Sequence, residues 1–416
     1  SSYTDALQRL SVEDPEFVFF TDLENDFSTA GAFLTEAYLA YLATSPEGVP
    51  PIPVDFNRLF ASLGFSGLTS VTATSESHHG AGFVNQMMFS FAEAPSGIFL
   101  LSGDSNQPFT IQDRAPADAQ LVADMNLDGV ALFRIVRNLV IDIMGPLGEG
   151  MIDAQMNQPI MEGGPTLADI INRLTTRIQI ALKPDFEMES AMPPSMALFN
   201  GLSVIHIENV ADILQQFAPM LQQAGFSTLE DAGGSTWALS MTDTPMAMSV
   251  FLQTVTGSND LIVSFNRDSR EWFLGEGPVI STSPAFNESI SGLPDSGLSF
   301  WYSSEKMARV QIQNLDAQLP ETASLKPVLD VVKGFLVNYT GDQSGVSFLD
   351  ENTYRVLSYQ PTSYKTNMAL AGAIVPLGFA SAFAAQMEET AVETAAESAP
   401  AETEATGSPK DSLPPE

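Results

Sequence analysis

Cysteine is absent from the 416-residue chain, although a chain of this length would ordinarily contain several. This absence excludes structural disulfides, thiolate metal ligands and cysteine nucleophiles. Histidine is also scarce, with three residues, so few side chains could serve as a general base near neutral pH. These shortages lower the expectation of Ser-His-Asp catalysis and of a histidine-rich metal centre.

Basic residues are the second shortage. The 17 Lys and Arg residues face 51 Asp and Glu residues, which gives a formal net charge of -34. No basic residue lies between Arg9 and Arg58 or between Lys183 and Arg267. Because such a surface repels phosphate backbones, nucleic acid is excluded as a partner, whereas cations, basic proteins and calcium stay open.

Sequence motifs of common enzyme classes are missing as well. The chain contains no G-x-S-x-G, P-loop, G-x-G-x-x-G or H-E-x-x-H pattern. We therefore expect a protein that is not an enzyme and has no cofactor, and a hydrolase of unknown type is the least favoured alternative.

An internal repeat is the most informative feature that is present. Four segments share a Pro, a short polar bridge, an apolar strand-like run and then a helical period, and they start at Pro15, Pro116, Pro194 and Pro294. The interval from the first to the third is almost equal to that from the second to the fourth. "FNRLFASLGFSGL" from Phe56 and "FAPMLQQAGFSTL" from Phe217 also share Phe, Gly-Phe-Ser and Leu at the same internal spacing, although the interval between them is shorter.

This repeat predicts an α+β fold of two tandem similar modules, residues 1–187 and 188–360, each an antiparallel sheet packed by amphipathic helices. Local periodicity predicts a buried strand at 17–21 and helices at 28–43, from 130 and at 213–224. Gly64 and Gly225 follow two of the helices, where a left-handed cap is favoured.

The uncharged stretch at 366–387 follows the second module and is long enough to span a membrane as one helix. We predict a hydrophobic helix at 361–387 that is a candidate membrane anchor. Its small residues leave open a soluble helix that packs on the second module or on a partner. The apolar members of the segment are Met368, Leu370, Ile374, Val375, Leu377, Phe379 and Phe383. Residues 388–416 are acidic, lack aromatic residues and predict a disordered tail.

One short motif points to a metal. "DMNLDG" at 124–129 reproduces the opening of a calcium-binding loop and nominates Asp124, Asn126 and Asp128 as ligands. The twelfth position is Ile135 in place of the glutamate that would complete the coordination. The alternative is a strand end followed by a helix that Asp128 caps.

The histidines favour structural roles. His78 and His79 are adjacent, so in a strand their side chains would point to opposite faces and could not chelate one ion. His206 lies among apolar residues in "LSVIHIEN", which predicts a strand residue with one satisfied nitrogen.

The repeated unit of Pro, apolar strand, polar turn and amphipathic helix resembles uncharacterised exported bacterial proteins that are grouped as a domain of unknown function. The resemblance implies an extracytoplasmic envelope protein. We expect a non-enzymatic protein, anchored or docked through residues 368–385, that binds a protein partner or an apolar ligand. The alternative is a soluble carrier of lipid or another hydrophobic ligand, with a cavity lined by Met87, Met88, Met220, Met246 and Met248.

Overall fold

The predicted α+β class is confirmed by a computed structural model of the chain. It describes residues 3–368 except 13, 45–53, 79–81, 161–163, 186–200, 232–233, 242–247, 314–329, 331–332, 335 and 338. The described strands are β1 (Phe17–Asp22), β2 (Leu68–His78), β3 (Gly82–Phe91), β4 (Gln107–Pro108), β5 (Leu121–Leu127), β6 (Thr176–Lys183), β7 (Leu202–Ile207), β8 (Ser227–Asp231), β9 (Gly234–Met241), β10 (Met248–Thr254), β11 (Leu261–Ser264), β12 (Ser296–Gly297), β13 (Ser299–Ser303), β14 (Gln343–Asp350) and β15 (Thr353–Gln360).

Helices lie on both sides of these strands. The described α-helices are α1 (Tyr3–Leu10), α2 (Asp26–Thr44), α3 (Phe56–Leu63), α4 (Gly129–Met144), α5 (Pro146–Met156), α6 (Leu167–Arg173), α7 (Ala211–Gln216), α8 (Ala218–Gln223), α9 (Ser269–Leu274), α10 (Pro284–Ile290) and α11 (Glu305–Gln313). Short 3-10 turns at 65–67, 97–100, 111–113 and 280–282 connect several of them.

The strand order differs from the two separate sheets that the repeat predicts. Thirteen strands of the described chain form one antiparallel sheet in the order β1-β2-β3-β15-β14-β13-β5-β6-β7-β11-β10-β9-β8. Strands of the predicted second module therefore lie between β3 and β5 of the first. The division into tandem modules is not confirmed, because this interleaving leaves neither module with a sheet of its own. β1 was expected to be a buried strand, yet it forms an edge, where Phe19 is 39% exposed.

The middle of the sheet nevertheless carries the repeat spacing. Ala123 of β5 pairs with Trp301 of β13, and these two are separated by the same interval as Pro116 and Pro294. Leu121 pairs with Ser303, which is the repeat counterpart of Met125. Met125 pairs with Ser299, which is the repeat counterpart of Leu121. Outward from this pair, β6 and β7 follow β5 on one side, and β14 and β15 follow β13 on the other. The two halves differ at the outer edges, where β1 and its helices stand opposite the β8–β9 hairpin.

The main core lies on one face of the sheet, which we call the front face. Strand residues such as Val122, Val204, Ile262 and Phe300 are buried there. The segment between β4 and β5 covers them together with α9 and α10, whose Phe273 and Phe286 are 3% and 0% exposed. These buried side chains favour the observed register of the central strands, because a shift by one residue would turn them to the other face.

A second core lies on the opposite, back face near the β1 edge. Val71, Phe89 and Tyr354 of neighbouring strands pack there against Phe65 and Phe99 from the connecting turns. α2 contacts α3, α3 contacts α4, and α4 contacts α5, so these helices form a continuous layer, which we call the helical layer.

Local predictions are largely confirmed. The expected helices correspond to α2 and α4, and Gly64 and Gly225 adopt φ angles of 90° and 92°. The expected helix at 213–224 is instead two short helices that meet at Phe217, with Pro219 in the first turn of α8. A proline has no backbone N–H to continue the hydrogen bonding of α7, which explains the break.

The predicted membrane segment falls almost wholly outside the described residues. Met368 is the last described residue and is 53% exposed, whereas the other apolar members, from Leu370 to Phe383, and the predicted tail at 388–416 lie beyond it. No helix in the described part of the chain is long and apolar enough to cross a membrane.

Candidate functional site

A row of buried polar side chains crosses the centre of the front face. Asp124 of β5 is paired with Gln179 of β6, and Gln179 is paired with His206 of β7. The three side chains are 1%, 0% and 2% exposed. Because buried polar groups need hydrogen-bond partners, this row is joined into a network with the segment that covers it.

Asp124 is the most constrained member of the row. Its Oδ2 accepts hydrogen bonds from the backbone N–H groups of Thr110 and Ile111 at 2.8 and 3.0 Å, and from Gln179 Nε2 at 3.1 Å. Arg177 Nε lies 3.4 Å from Asp124 Oδ1. The carboxylate therefore fastens the covering segment to the sheet and has protein partners on both oxygens.

The other two nominated calcium ligands lie beside an open polar cleft of about 530 Å³, lined by Asn126, Asp128, Asp104, Arg177 and Glu208. Asp128 Oδ1 accepts a hydrogen bond from the Ala131 N–H at 2.9 Å and caps α4. No group of three or more acidic or histidine side chains suited to a metal ion occurs among the described residues. Calcium at this place stays a prediction, while the capping role of Asp128 is confirmed.

His206 stands between two hydrogen-bond acceptors. Its Nδ1 lies 3.1 Å from Gln179 Oε1, and its Nε2 lies 3.2 Å from Asp260 Oδ2. The Gln179 amide cannot turn its nitrogen towards His206, because that nitrogen already donates to Asp124 and to Thr110 Oγ1. Only a doubly protonated imidazole can donate to both neighbours.

The charges around His206 oppose one another. Burial lowers the pKa of the imidazole below its ordinary value, and Arg114 lowers it further. Asp260 and Glu208 act in the opposite direction and raise the pKa. His206 is therefore a buried titratable group in contact with other parts of the protein, including Phe273 of α9 at a ring-centroid distance of 5.7 Å.

Among the described residues, His78 does not form a site with His206. His78 lies at the end of β2, where its ring centroid is 4.8 Å from that of Tyr359, and His79 falls outside the described residues. A mixed polar and apolar cleft of about 430 Å³ is lined by His78, Tyr359, Glu288 and Asp342. Burial raises the pKa of Tyr359, so its phenol stays neutral in this cleft.

An apolar pocket of about 270 Å³ lies between α4, α5 and α6. Its side chains are apolar except for Gln155, and they include Phe133, Ile152 and Ile171. Leu132 and Val136 line the pocket and are 41% and 45% exposed. Ile135, between them on α4, is buried instead.

Of the methionines expected to line a carrier cavity, those on described elements are spread over distant parts of the fold. Met87 and Met88 are adjacent in β3, so they point to opposite faces of the sheet, and Met88 is buried beneath α1. Met220 is 40% exposed on α8 and Met248 begins β10, both in the distant half of the sheet. Met246 lies outside the described residues.

The outer side of α2 is an exposed apolar feature of the helical layer. α2 has two charged residues among 19, Asp26 and Glu36. Phe33 and Tyr41 are 69% and 66% exposed. A helix that is apolar on all sides is normally buried, so this exposure indicates an interaction surface.

Sequence reasoning missed the network partners Gln179 and Asp260 and the pocket at α6. A polar residue between isoleucines in "RIQIAL" was the available signal for Gln179, since it alternates onto the same face as buried Ala181. No known protein family, curated protein or solved structure matches this chain.

Proposed function

We propose that the protein is a non-enzymatic, extracytoplasmic binding protein that holds a protein partner on the outer side of α2. The observation that carries this proposal is the exposure of Phe33 and Tyr41 on a helix that has only two charged residues. Large exposed apolar areas on soluble proteins usually mark interaction sites, and aromatic residues contribute much of the binding energy at such sites.

The inner side of α2 packs on α3, so the proposed partner contacts the outer side. Tyr38 packs edge to face on Phe56 of α3 with ring centroids 6.1 Å apart. Thr35 Oγ1 accepts a hydrogen bond from the Phe56 N–H at 3.0 Å. Gly31 is buried against Asn57, where a Cβ would come within 2.2 Å of the Asn57 amide oxygen.

The negative charge of the chain favours a partner that carries basic residues. The chain has a net charge of -34 and no basic residue between Arg9 and Arg58, the region that contains α2. Anionic lipids and a second copy of this chain would both be repelled. The partner that fits is an amphipathic helix with an apolar face and basic residues along its border, lying along the roughly 28 Å length of α2.

A labelled peptide tests this proposal directly. A synthetic amphipathic helix as long as α2, with leucines on one face and lysines at the border, should bind the full chain, and binding should weaken as salt is added. The same peptide with glutamates at the border should not bind. Fluorescence anisotropy measures both affinities.

Two substitutions in α2 test this surface, and one in α9 is the matched control. Phe33→Asp and Tyr41→Asp should each weaken binding of the lysine peptide about tenfold or more, because each removes an aromatic contact and adds a charge. Leu274→Asp, at an exposed apolar position 43% accessible on α9, should leave the affinity unchanged. Equal binding by all three variants would rule out α2 as the surface.

The envelope location is a further part of the proposal. It is supported by the uncharged stretch at 366–387 and by the resemblance of the repeat to exported proteins. Cells that express the full gene, with and without residues 366–387, should differ in carbonate-resistant membrane pelleting. The same soluble distribution for both would contradict an anchor.

We also propose that the chain contains one duplicated unit, with strands exchanged between the copies. The support is the symmetric pairing of β5 with β13 at the repeat spacing. Asn25 and Asn209 add to it, since each follows the first strand of its half with a positive φ angle, 68° and 60°.

A further inference from the structure

The pocket between α4, α5 and α6 is wedge-shaped. Near the turn that joins α4 to α5, the two helices touch: a Cβ on Gly148 would lie 2.8 Å from the Val140 carbonyl oxygen. On one side Arg137 of α4 ties the pair by ion pairs to Glu149 and Asp153 of α5, at 2.8 and 3.4 Å. At the opposite end α6 stands against both helices and the pocket opens.

α6 is held in place independently of any ligand. Its N-terminus has a capping box, in which Thr166 and Asp169 exchange hydrogen bonds. Arg173 at its last turn is paired with Asp212 of α7. Gly129 of α4 approaches the Ile171 carbonyl oxygen so closely that a Cβ there would be 2.5 Å away. The wall formed by α6 is therefore preformed.

The chemistry of the pocket selects an uncharged ligand. None of its lining residues is ionisable, and the polar side chain among them is that of Gln155. An ion placed there would lose its hydration without a counter-charge. A hydrocarbon would exchange water for contact with Phe133, Ile152 and Ile171.

The volume of the pocket and the exposure of the residues at its opening limit the size and shape of the ligand. The pocket holds about 270 Å³, roughly nine times the share of liquid volume of one water molecule. One chain of about nine or ten carbon atoms fills such a space, whereas two parallel chains do not. Leu132 and Val136 are partly exposed at the mouth, so a polar end group attached to the chain would remain in water.

We infer that this pocket binds the hydrocarbon chain of a single-chain amphiphile, with its head group outside. The site lies on α4, α5 and α6, apart from the outer side of α2, and it requires no protein partner. Because the chain carries a net charge of -34, a nonionic head group is favoured over an anionic one.

A chain-length series of alkyl maltosides tests the inference on the full-length protein below the micellar concentration. Isothermal titration calorimetry should give an affinity that rises about threefold or more per added methylene, the gain expected for a buried CH₂. The rise should stop near ten carbons, where the pocket is full. No binding at any chain length, or a rise without a plateau through fourteen carbons, would overturn the site.

Two leucine substitutions form the matched pair. Leu132→Asp places a charge at the mouth and should weaken decyl maltoside binding about tenfold or more. Leu147→Asp, 68% exposed on α5 and outside the pocket, should change the affinity less than twofold. Equal losses in both variants would contradict the assignment. Ile171→Trp, which fills the pocket from α6, should abolish binding while circular dichroism reports an unchanged fold.

The two proposed sites can fail separately. Phe33→Asp should leave maltoside binding unchanged, and Leu132→Asp should leave binding of the lysine peptide unchanged. Loss of maltoside binding in Phe33→Asp would mean that the amphiphile binds α2 and would overturn the pocket.

Discussion

At the scale of single residues, the polar row on the front face combines two demands that conflict. His206 needs two protons to donate to both Gln179 Oε1 and Asp260 Oδ2. Burial favours the neutral ring, which can donate to one of them. The charged groups that face the ring are Asp260, Glu208 and Arg114. The two acceptors therefore favour protonation of His206, whereas burial opposes it and lowers the pKa overall.

The lowered pKa of His206 predicts how stability depends on pH. The unfolded chain binds a proton at His206 below about pH 6.5, whereas the folded chain binds it only at a lower pH. The contribution to stability is therefore present above pH 6.5 and is lost as the pH falls through the folded-state pKa. His206→Gln should show a shallower fall in the free energy of unfolding between about pH 7.5 and 5.5.

Urea unfolding at several pH values measures this difference. His78→Gln is the control, because it removes a histidine at the end of β2 that lies outside the polar row. A slope for His206→Gln equal to that of the wild type would show that the imidazole is not held neutral by the fold.

A second prediction at the residue scale concerns the contribution of Asp124 to stability. Asp124→Asn leaves Arg177, whose side chain is 15% exposed, without its buried counter-charge. We expect a loss of about 3 kcal/mol in the free energy of unfolding. Asp104→Asn, in the exposed part of the polar cleft, should change it by less than about 0.5 kcal/mol. Denaturant titration compares the two, and equal losses would mean that the ion pair is not buried as described.

At the scale of elements, substitutions at two glycines distinguish the effect of backbone strain on stability from the effect of helix propensity. Gly64 ends α3 at a φ of 90°, and a Cβ there would lie 2.1 Å from the Ser96 carbonyl oxygen. Gly150 lies inside α5 with nothing within 4 Å of an added Cβ. The same substitution to alanine should therefore have opposite signs at the two positions.

We expect Gly64→Ala to reduce the free energy of unfolding by about 2 kcal/mol or more, since it adds both strain and a clash. Gly150→Ala should raise it by about 0.5–1 kcal/mol, because alanine is the better helix former. Thermal unfolding monitored by far-ultraviolet circular dichroism provides the comparison. Destabilisation by Gly150→Ala would show that α5 is not an ordinary exposed helix.

At the scale of the whole molecule, the single sheet predicts one cooperative unit. β3 pairs with β15 and β5 pairs with β13, so strands from the two ends of the chain depend on each other. Fragments 1–187 and 188–360 expressed separately should lack a cooperative thermal transition. Mixed or co-expressed fragments should recover it, because all the strand pairings are then available. Cooperative unfolding of either fragment alone would restore the model of two independent modules.

The sequence by itself determined the features that depend on near neighbours. The helical periods of α2 and α4, the alternation of β6 and the left-handed caps at Gly64 and Gly225 follow from side-chain spacing and backbone sterics over a few residues. The N-cap role of Asp128 belongs to the same class. The repeat spacing also came from sequence, as a relation between segments without an arrangement in space.

Only the tertiary structure decided which segments are neighbours. Antiparallel pairing can join any two strands of compatible pattern, so local periodicity leaves open whether β3 lies beside β15 or within a sheet of its own module. The strand order also places Asp124, Gln179 and His206 in one row. Helix packing places Leu132 in the pocket beside α6. The buried network and the apolar pocket are therefore products of strand order and helix packing, which long-range burial selects.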